Sequence, residues 1–380
     1  MEVYLPYGKD KILFRFPEEN LLTVVKPKDL PPLPDPEKAV KDAIDNPINS
    51  ERLSDLVKKN FKITIVMPDI VHKCFANKLA LHVILKELNL LGVEKDNITI
   101  INAIGLHRVN SREEMELMYG KDVLENYRVI CHNAKDKNSL VNLGESEFGD
   151  PVSINRLVIE ADLCIGISDV GSVPVCYSGG SKMISVGCAS VETIASTHCL
   201  SIYYNERSKC GVYIGNPFKE HLDAILRKAE SSSKSGKFFL VNTVFNSKDE
   251  VVGVTAGDFI DSHLECCKIA DKQWKIPVPK EADIVVAAAG YPNDDYPYYI
   301  STSLTMLVSY PKPVFRKGGI VIFPAPCSAT PKPNTLDYDF IEAMRNTGDF
   351  EDLHEKMKEY ERKKILTPIG LMRAYGKQSR

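Results

Sequence analysis

An excess of either charge is missing from this 380-residue chain: 48 Lys and Arg stand against 51 Asp and Glu, a formal net charge of −3. Nothing there neutralises a phosphate backbone, so nucleic acid is excluded as the main partner. Long apolar runs are missing too. The most apolar stretch, Ile284 to Gly290, falls far short of the roughly 20 residues that cross a bilayer, so no membrane span is expected. The opening MEVYLPYGKD lacks a basic segment followed by an apolar one. No secretory signal is therefore expected, and the expected location is the cytoplasm. The 10 cysteines, Cys74 among them, include no CxxC pair, which argues against a structural zinc site and for reduced thiols. The G-x-x-x-x-G-K-[ST] phosphate loop, the G-x-G-x-x-G dinucleotide turn and the G-x-S-x-G nucleophile elbow are all absent. The basic cluster Arg362-Lys363-Lys364 reads as a solvated helix face.

What is present is alternation. Residues 2–16 predict a hairpin around Gly8-Lys9-Asp10, followed by a proline-rich connector. From residue 62 onward, apolar runs (KITIVM, ITIINAIG, RVICHNA, LCIGIS) alternate with helical patterns such as Ala76 to Leu91. Ser111 and Glu114 form a capping box. FFLVNTVFN and VVGVTAGD predict a second hairpin. Beyond DKQWKIPVPK, the run at 282–290, a helix near 299–309 and the run at 320–326 predict a second βαβ unit, with a helical tail from 336. The pattern predicts an α/β protein of two domains with mainly parallel sheets and flanking helices. A Rossmann-like cofactor domain spans 1–272, and a smaller α/β domain spans 273–380, its tail returning to the first. Chemistry is expected at the carboxyl ends of the strands, in the cleft between the two.

Three features there can carry chemistry. Ser178-Gly179-Gly180-Ser181-Lys182 can form an anion-binding nest with a terminal lysine, or a plain tight turn. His107 in GLHR, just past a strand, suits proton transfer or the bonding of a loop carbonyl. His198, after a short helix, can ligate a metal or simply cap the helix end. His132 has the same ambiguity, whereas His82, His221, His263 and His354 read as ordinary helix residues.

GLHR with its capped helix, ICHNAKD, NRLVIEADLCIGISDVG leading into YSGGSK, IASTH and AGYPNDD occur in that order. This series resembles the nickel-dependent lactate racemase family, over most of the chain up to about Cys327. The resemblance implies a nickel-pincer nucleotide joined covalently to Lys182, with His198 as the nickel ligand. It places Asp69, Ser178, Gly179 and Gly180 around the cofactor and Arg108, Tyr298, Tyr299 and Thr302 around the substrate. It also implies a hydride shuttle in which a histidine base, here His107, takes the hydroxyl proton.

The pattern departs at four places. Ser172 stands where lactate-type members carry a second catalytic histidine, and His72 where they carry an arginine. Tyr299 and Thr302 replace a glutamine and a lysine. Losing two cationic anchors removes charge-assisted bonds of about 1.5–3 kcal/mol each. The expected substrate is therefore a small 2-hydroxy acid other than lactate, a sugar acid being the favoured class, with His72 as substitute second base. The expected activity is racemase or epimerase. Another redox isomerisation on the same cofactor, or a non-catalytic cofactor-binding role, is the alternative. The implied partners are the hydroxy acid, the proteins that make the cofactor, and further copies of the chain as a homo-oligomer.

Overall fold

A computed structural model describes residues 1–72, 77–333, 335–346, 348 and 350–362; Cys74, Lys363 and Lys364 lie outside these. The β-branched runs read as strands form strands. The chain begins with the hairpin β1 (Glu2–Tyr7) and β2 (Asp10–Arg15), paired from Glu2↔Arg15 to Tyr7↔Asp10. Helices α1 (Pro36–Asp45) and α2 (Leu53–Leu56) lead into β3 (Ile63–Met67), α3 (Asn77–Leu90) and β4 (Ile98–Asn102). Then come α4 (Arg112–Tyr119), α5 (Lys121–Asn126), β5 (Arg128–Cys131), the hairpin β6 (Leu140–Glu145) and β7 (Pro151–Asn155), α6 (Arg156–Ile159) and β8 (Leu163–Asp169). Short β9 (Ser172–Val173), β10 (Cys176–Tyr177), α7 (Lys182–Ser185), α8 (Val191–Thr197) and α9 (Leu200–Tyr203) precede α10 (Pro217–Ser232). After them come β11 (Phe238–Phe245), β12 (Val251–Gly257) and α11 (Asp261–Trp274), and then β13 (Ala282–Val286), α12 (Pro297–Ser309) and β14 (Phe315–Ile322). The last elements are α13 (Leu336–Arg345) and α14 (Phe350–Arg362).

The central sheet has six strands in the order β12-β11-β8-β3-β4-β5, parallel except for the β11–β12 hairpin. Every residue of β3 and β8 is buried. That is why these strands read as unbroken apolar runs: helices cover both of their faces. Ile65, Leu81, Ile84 and Leu88 pack on one face, and Ile184, Ile225, Leu240 and Phe259 on the other. From β3 the chain winds through β4 to β5 in one direction, and from β8 through β11 in the other. The direction of winding reverses between β3 and β8, and ligands of open α/β sheets bind at such a point.

The mixed α/β architecture with a mainly parallel sheet matches the reading of the sequence. β13 and β14 form a separate two-stranded parallel sheet bridged by α12. The N-terminal hairpin docks there: Tyr291 N–H donates to the Gly8 carbonyl at 2.9 Å, and Gly8 N–H to Asp294 at 2.6 Å. Helix α14 returns to α9, where Leu353 and Met357 join Tyr203 and Phe218 in one cluster. Every described cysteine is a free thiol, and no described helix is long and apolar enough to cross a membrane.

Candidate active site

A cavity partly open to solvent lies over the carboxyl ends of β3, β4 and β8. His72, His107, Ser178, Gly179, Lys182 and His198 line it, with Tyr298, Tyr299 and Thr302 of α12 across the opening.

Asp69 lies two residues past the end of β3 and is fully buried. Its Oδ2 lies 2.8 Å from Nδ1 of His107, and its Oδ1 lies 3.9 Å from Nε2 of His72. Facing a carboxylate, Nδ1 of His107 is the N–H donor, which leaves the lone pair on Nε2. Burial opposes the Asp69 charge, but the attraction and hydrogen bond of His107, helped by His72 and Arg108, hold its carboxyl below the ordinary range. His72 shifts the opposite way from a surface histidine. Burial, with Lys182 and His107 adding repulsion against the pull of Asp69, lowers it to about 4. At neutral pH it is an uncharged imidazole and cannot act as the cation that the resemblance places there.

Loop 178–182 is held from beneath. Gly179 and Gly180 have φ of +76° and +59°, a region that costs other L-residues about 1–2 kcal/mol. A Cβ on Gly179 would come within 2.6 Å of Ser168 Oγ, and one on Gly180 within 2.6 Å of the His263 ring. Nε2 of His263 donates to the Ser178 carbonyl at 2.7 Å. Burial, reinforced by the charge of Lys219, lowers His263 to about 3, so it stays neutral. Next to Lys182, Ser181 hydrogen-bonds Asp223 and receives a 3.0 Å bond from buried Lys219, itself paired with Asp223. Four-residue α7 is too short to be stable alone. Buried Met183 and Ile184, and a 2.7 Å bond from Ser185 to the Leu222 carbonyl, fix it and so fix Lys182 at its first position.

His198 resolves its own ambiguity. Its Nδ1 lies 2.9 Å from the Ile194 carbonyl, so this nitrogen carries the proton and caps the helix end. The lone pair then falls on Nε2, as a metal-ligating histidine requires. Helix capping and ligation are thus compatible. His132 is structural: it is buried, with Nε2 donating to the Ala189 carbonyl at 2.9 Å.

Other expected site residues stand off the wall among the described lining. Asp69 sits behind His107, and Gly180 packs on His263. Ser172 lies on β9 with its hydroxyl toward Cys210, while Val173, Pro174 and Val175 face the cavity instead. The Arg108 guanidinium is committed to Glu114 through bonds of 2.6 and 2.8 Å and stacks 5.2 Å over the Tyr296 ring. Glu114 is fixed in turn by its capping box. Tyr299 meets the His107 ring edge-on at 5.5 Å.

Reading the sequence missed His263, Lys219, Asp223 and Asp169. Only the pairing of Lys219 with Asp223 at helical spacing left a trace. Asp169, ending β8, accepts a 3.2 Å bond from Asn77, yet burial raises its carboxyl from 3.8 to about 6. It holds its proton more tightly folded than unfolded, so this group costs stability increasingly from about pH 4 to about pH 6 and fully above that. Asp169→Asn is expected to raise unfolding free energy at pH 8 by about 1–3 kcal/mol, at 1.36 kcal/mol per pH unit. The gain should vanish by pH 4. Urea unfolding at both pH values checks this, and a variant no more stable at pH 8 contradicts it.

The lactate racemase N-terminal domain family matches residues 7–211, more than half of the chain. The lactate racemase of Thermoanaerobacterium thermosaccharolyticum is 29% identical over 330 residues, covering 86% of this chain and 74% of that protein. That of Lactiplantibacillus plantarum is 26% identical over 291 residues, covering 76% of this chain and 66% of that protein. The apoprotein structure of the Thermoanaerobacterium enzyme superposes with a TM-score of 0.80 at 26% identity, over 99% of this chain and 85% of that one. A Thermotoga maritima protein shares the fold alone, with a TM-score of 0.68 at 18% identity. By the family match, and with the ordered motifs meeting around one cavity, this chain belongs to the lactate racemase family.

Proposed function

We propose that the chain is a racemase or epimerase of a small 2-hydroxy acid, with a sugar acid as the favoured class, and that it works with a nickel-pincer nucleotide bound covalently to Lys182. The supporting observation is the meeting of Lys182, His198 and His107, the last backed by Asp69, on one cavity. The residues suit such a group: a lysine on the cavity wall for the covalent bond and an imidazole with its lone pair on Nε2 for the nickel. The chemistry this group supplies when bound is reversible acceptance of hydride from the carbinol carbon.

The chain's residues handle everything else. Nε2 of His107 takes the hydroxyl proton, while Asp69 fixes the tautomer and stabilises the imidazolium. On the opposite face the substrate oxygen takes its proton from a second acid–base group. His72, 6.1 Å from His107 between ring centres, fills that role in place of the histidine that lactate-type members carry at the position of Ser172. The hydroxyls of Tyr298, Tyr299 and Thr302 read a polyhydroxy substrate, and Arg108 acts through its ion pair with Glu114. In this reading residues 1–272 carry the cofactor and 273–380 close the cavity. Free thiols fit a reducing cytoplasm, where cofactor-making partners would load the enzyme.

The test uses protein loaded by co-expression with cofactor-making enzymes and a panel of single-enantiomer hydroxy and sugar acids. Chiral chromatography is expected to show inversion at one carbon without change of redox state. An oxidised or isomerised product supports the other redox reading, and no turnover by nickel-loaded protein supports a binding role. His72→Ala is expected to lower kcat by about 10²-fold or more with nickel content unchanged. Full activity in that variant removes His72 from the mechanism.

A further inference from the structure

Asp69, His72 and His107 bring one carboxylate and two imidazoles together from the loops after two adjacent strands. Their ligand atoms all lie within 4.8 Å of one another. We propose that these three side chains form a second metal site, separate from His198, that takes a zinc-class divalent cation, and that an ion there and proton transfer at His107 exclude one another.

The donor set is the first argument. Imidazole and carboxylate suit zinc, cobalt and related ions, and two histidines with one carboxylate are a recurrent metal-binding triad. Spacing is the second. Ligands about 2.0–2.1 Å from a tetrahedral ion sit roughly 3.3 Å apart. Oδ2 of Asp69 lies 2.8 Å from Nδ1 of His107 and Oδ1 lies 3.9 Å from Nε2 of His72, on either side of that value. Shifts of about half an ångström bring both to it. His72 ends a one-turn 3-10 helix, Ile70–His72, and its half-buried ring faces the cavity, so a small rotation suffices. Position is the third. His72 and His107 line the cavity with Asp69 buried behind them, so an ion held by the three keeps a coordination position open to small molecules, the arrangement of reactive rather than structural sites. His72 makes the difference, because without an imidazole at 72 only two ligands remain.

The consequence for catalysis rests on the base role proposed above; the binding does not. An ion on Nδ1 of His107 takes the place of the proton shared with Asp69, and that proton moves to Nε2. With Nε2 protonated, His107 no longer accepts the substrate's hydroxyl proton.

The first arm of the test uses the full chain expressed without cofactor-making proteins, stripped of metal and titrated with Co²⁺. One equivalent is expected to bind, with ligand-field bands of a nitrogen–oxygen site and no thiolate charge-transfer band. His72→Ala and His72→Gln should weaken binding at least tenfold, with thermal melts confirming the fold, whereas His198→Ala and Lys182→Ala should retain it. Equal binding by wild type and both His72 variants overturns the site, as does loss on His198→Ala instead. The second arm adds Zn²⁺ to loaded enzyme. Turnover is expected to fall as the site fills and to recover on dialysis. Cobalt binding with undiminished turnover at saturating zinc overturns the mutual exclusion and the base role of His107 while leaving the site standing.

Discussion

Replacing His107 by asparagine is expected to lower kcat of the loaded protein by about 10²–10⁴-fold, with the fold and the nickel content retained. The size of the effect follows from chemistry. The asparagine amide nitrogen overlays Nδ1 of the imidazole and can still donate to Asp69, so the buried carboxylate keeps a hydrogen bond where His107 Nδ1 now lies 2.8 Å away. What it lacks is a basic nitrogen. His107→Ala removes the donor as well, so it should lose stability in addition to rate, because truncating one partner of a buried charged hydrogen bond is costly. The pair of variants separates base loss from fold loss: kcat falls similarly in both, while Tm falls mainly in the alanine variant. An asparagine variant with near-normal kcat removes the base assignment.

Gly180→Ala is the second large effect, and it acts through shape. The added methyl meets the His263 ring at 2.6 Å on a backbone with φ of +59°. The left-handed conformation costs about 1–2 kcal/mol for alanine, and forcing apart a packed contact costs about 1–3 more. A loss of about 2–5 kcal/mol is expected. Relief requires moving either the loop or His263, whose Nε2 holds the Ser178 carbonyl. Lys182 would then shift from the cavity wall, so cofactor attachment should fail along with stability. Gly149→Ala is the control, because it pays the same kind of backbone cost at φ +80° with nothing within 4 Å of the new Cβ. Denaturant unfolding and intact mass measure both effects. Equal losses in the two variants would mean that contact with His263 adds nothing.

The sheet was legible because its physics is local. β3, β4 and β8 are buried throughout or nearly so and announce themselves as β-branched runs, while Ser111 and Glu114 mark the start of α4 by mutual capping. The hairpin β6–β7 was missed: its strands are short and partly exposed, and a register shift breaks their alternation. Short α9 was missed because tertiary packing, not helical periodicity, shapes it. The site divides the same way. Lys182, His198 and His107 stand in motifs at strand or helix ends, where chemistry is expected. His263 and Lys219 hold loop 178–182 from α11 and α10, far along the chain, and no local pattern separates them from other helix residues. Arg108 shows the opposite limit. It sits beside the base in sequence, yet Glu114, six residues on, claims its guanidinium.

Intact mass and bound nickel decide whether this chain holds a nickel-pincer nucleotide on Lys182, measured on protein co-expressed with cofactor-making enzymes and on Lys182→Ala prepared in parallel. A covalent adduct with about one nickel per chain is expected in the wild type, and neither in the variant. An unmodified, nickel-free wild type, under conditions that load a lactate racemase control, contradicts the proposed attachment.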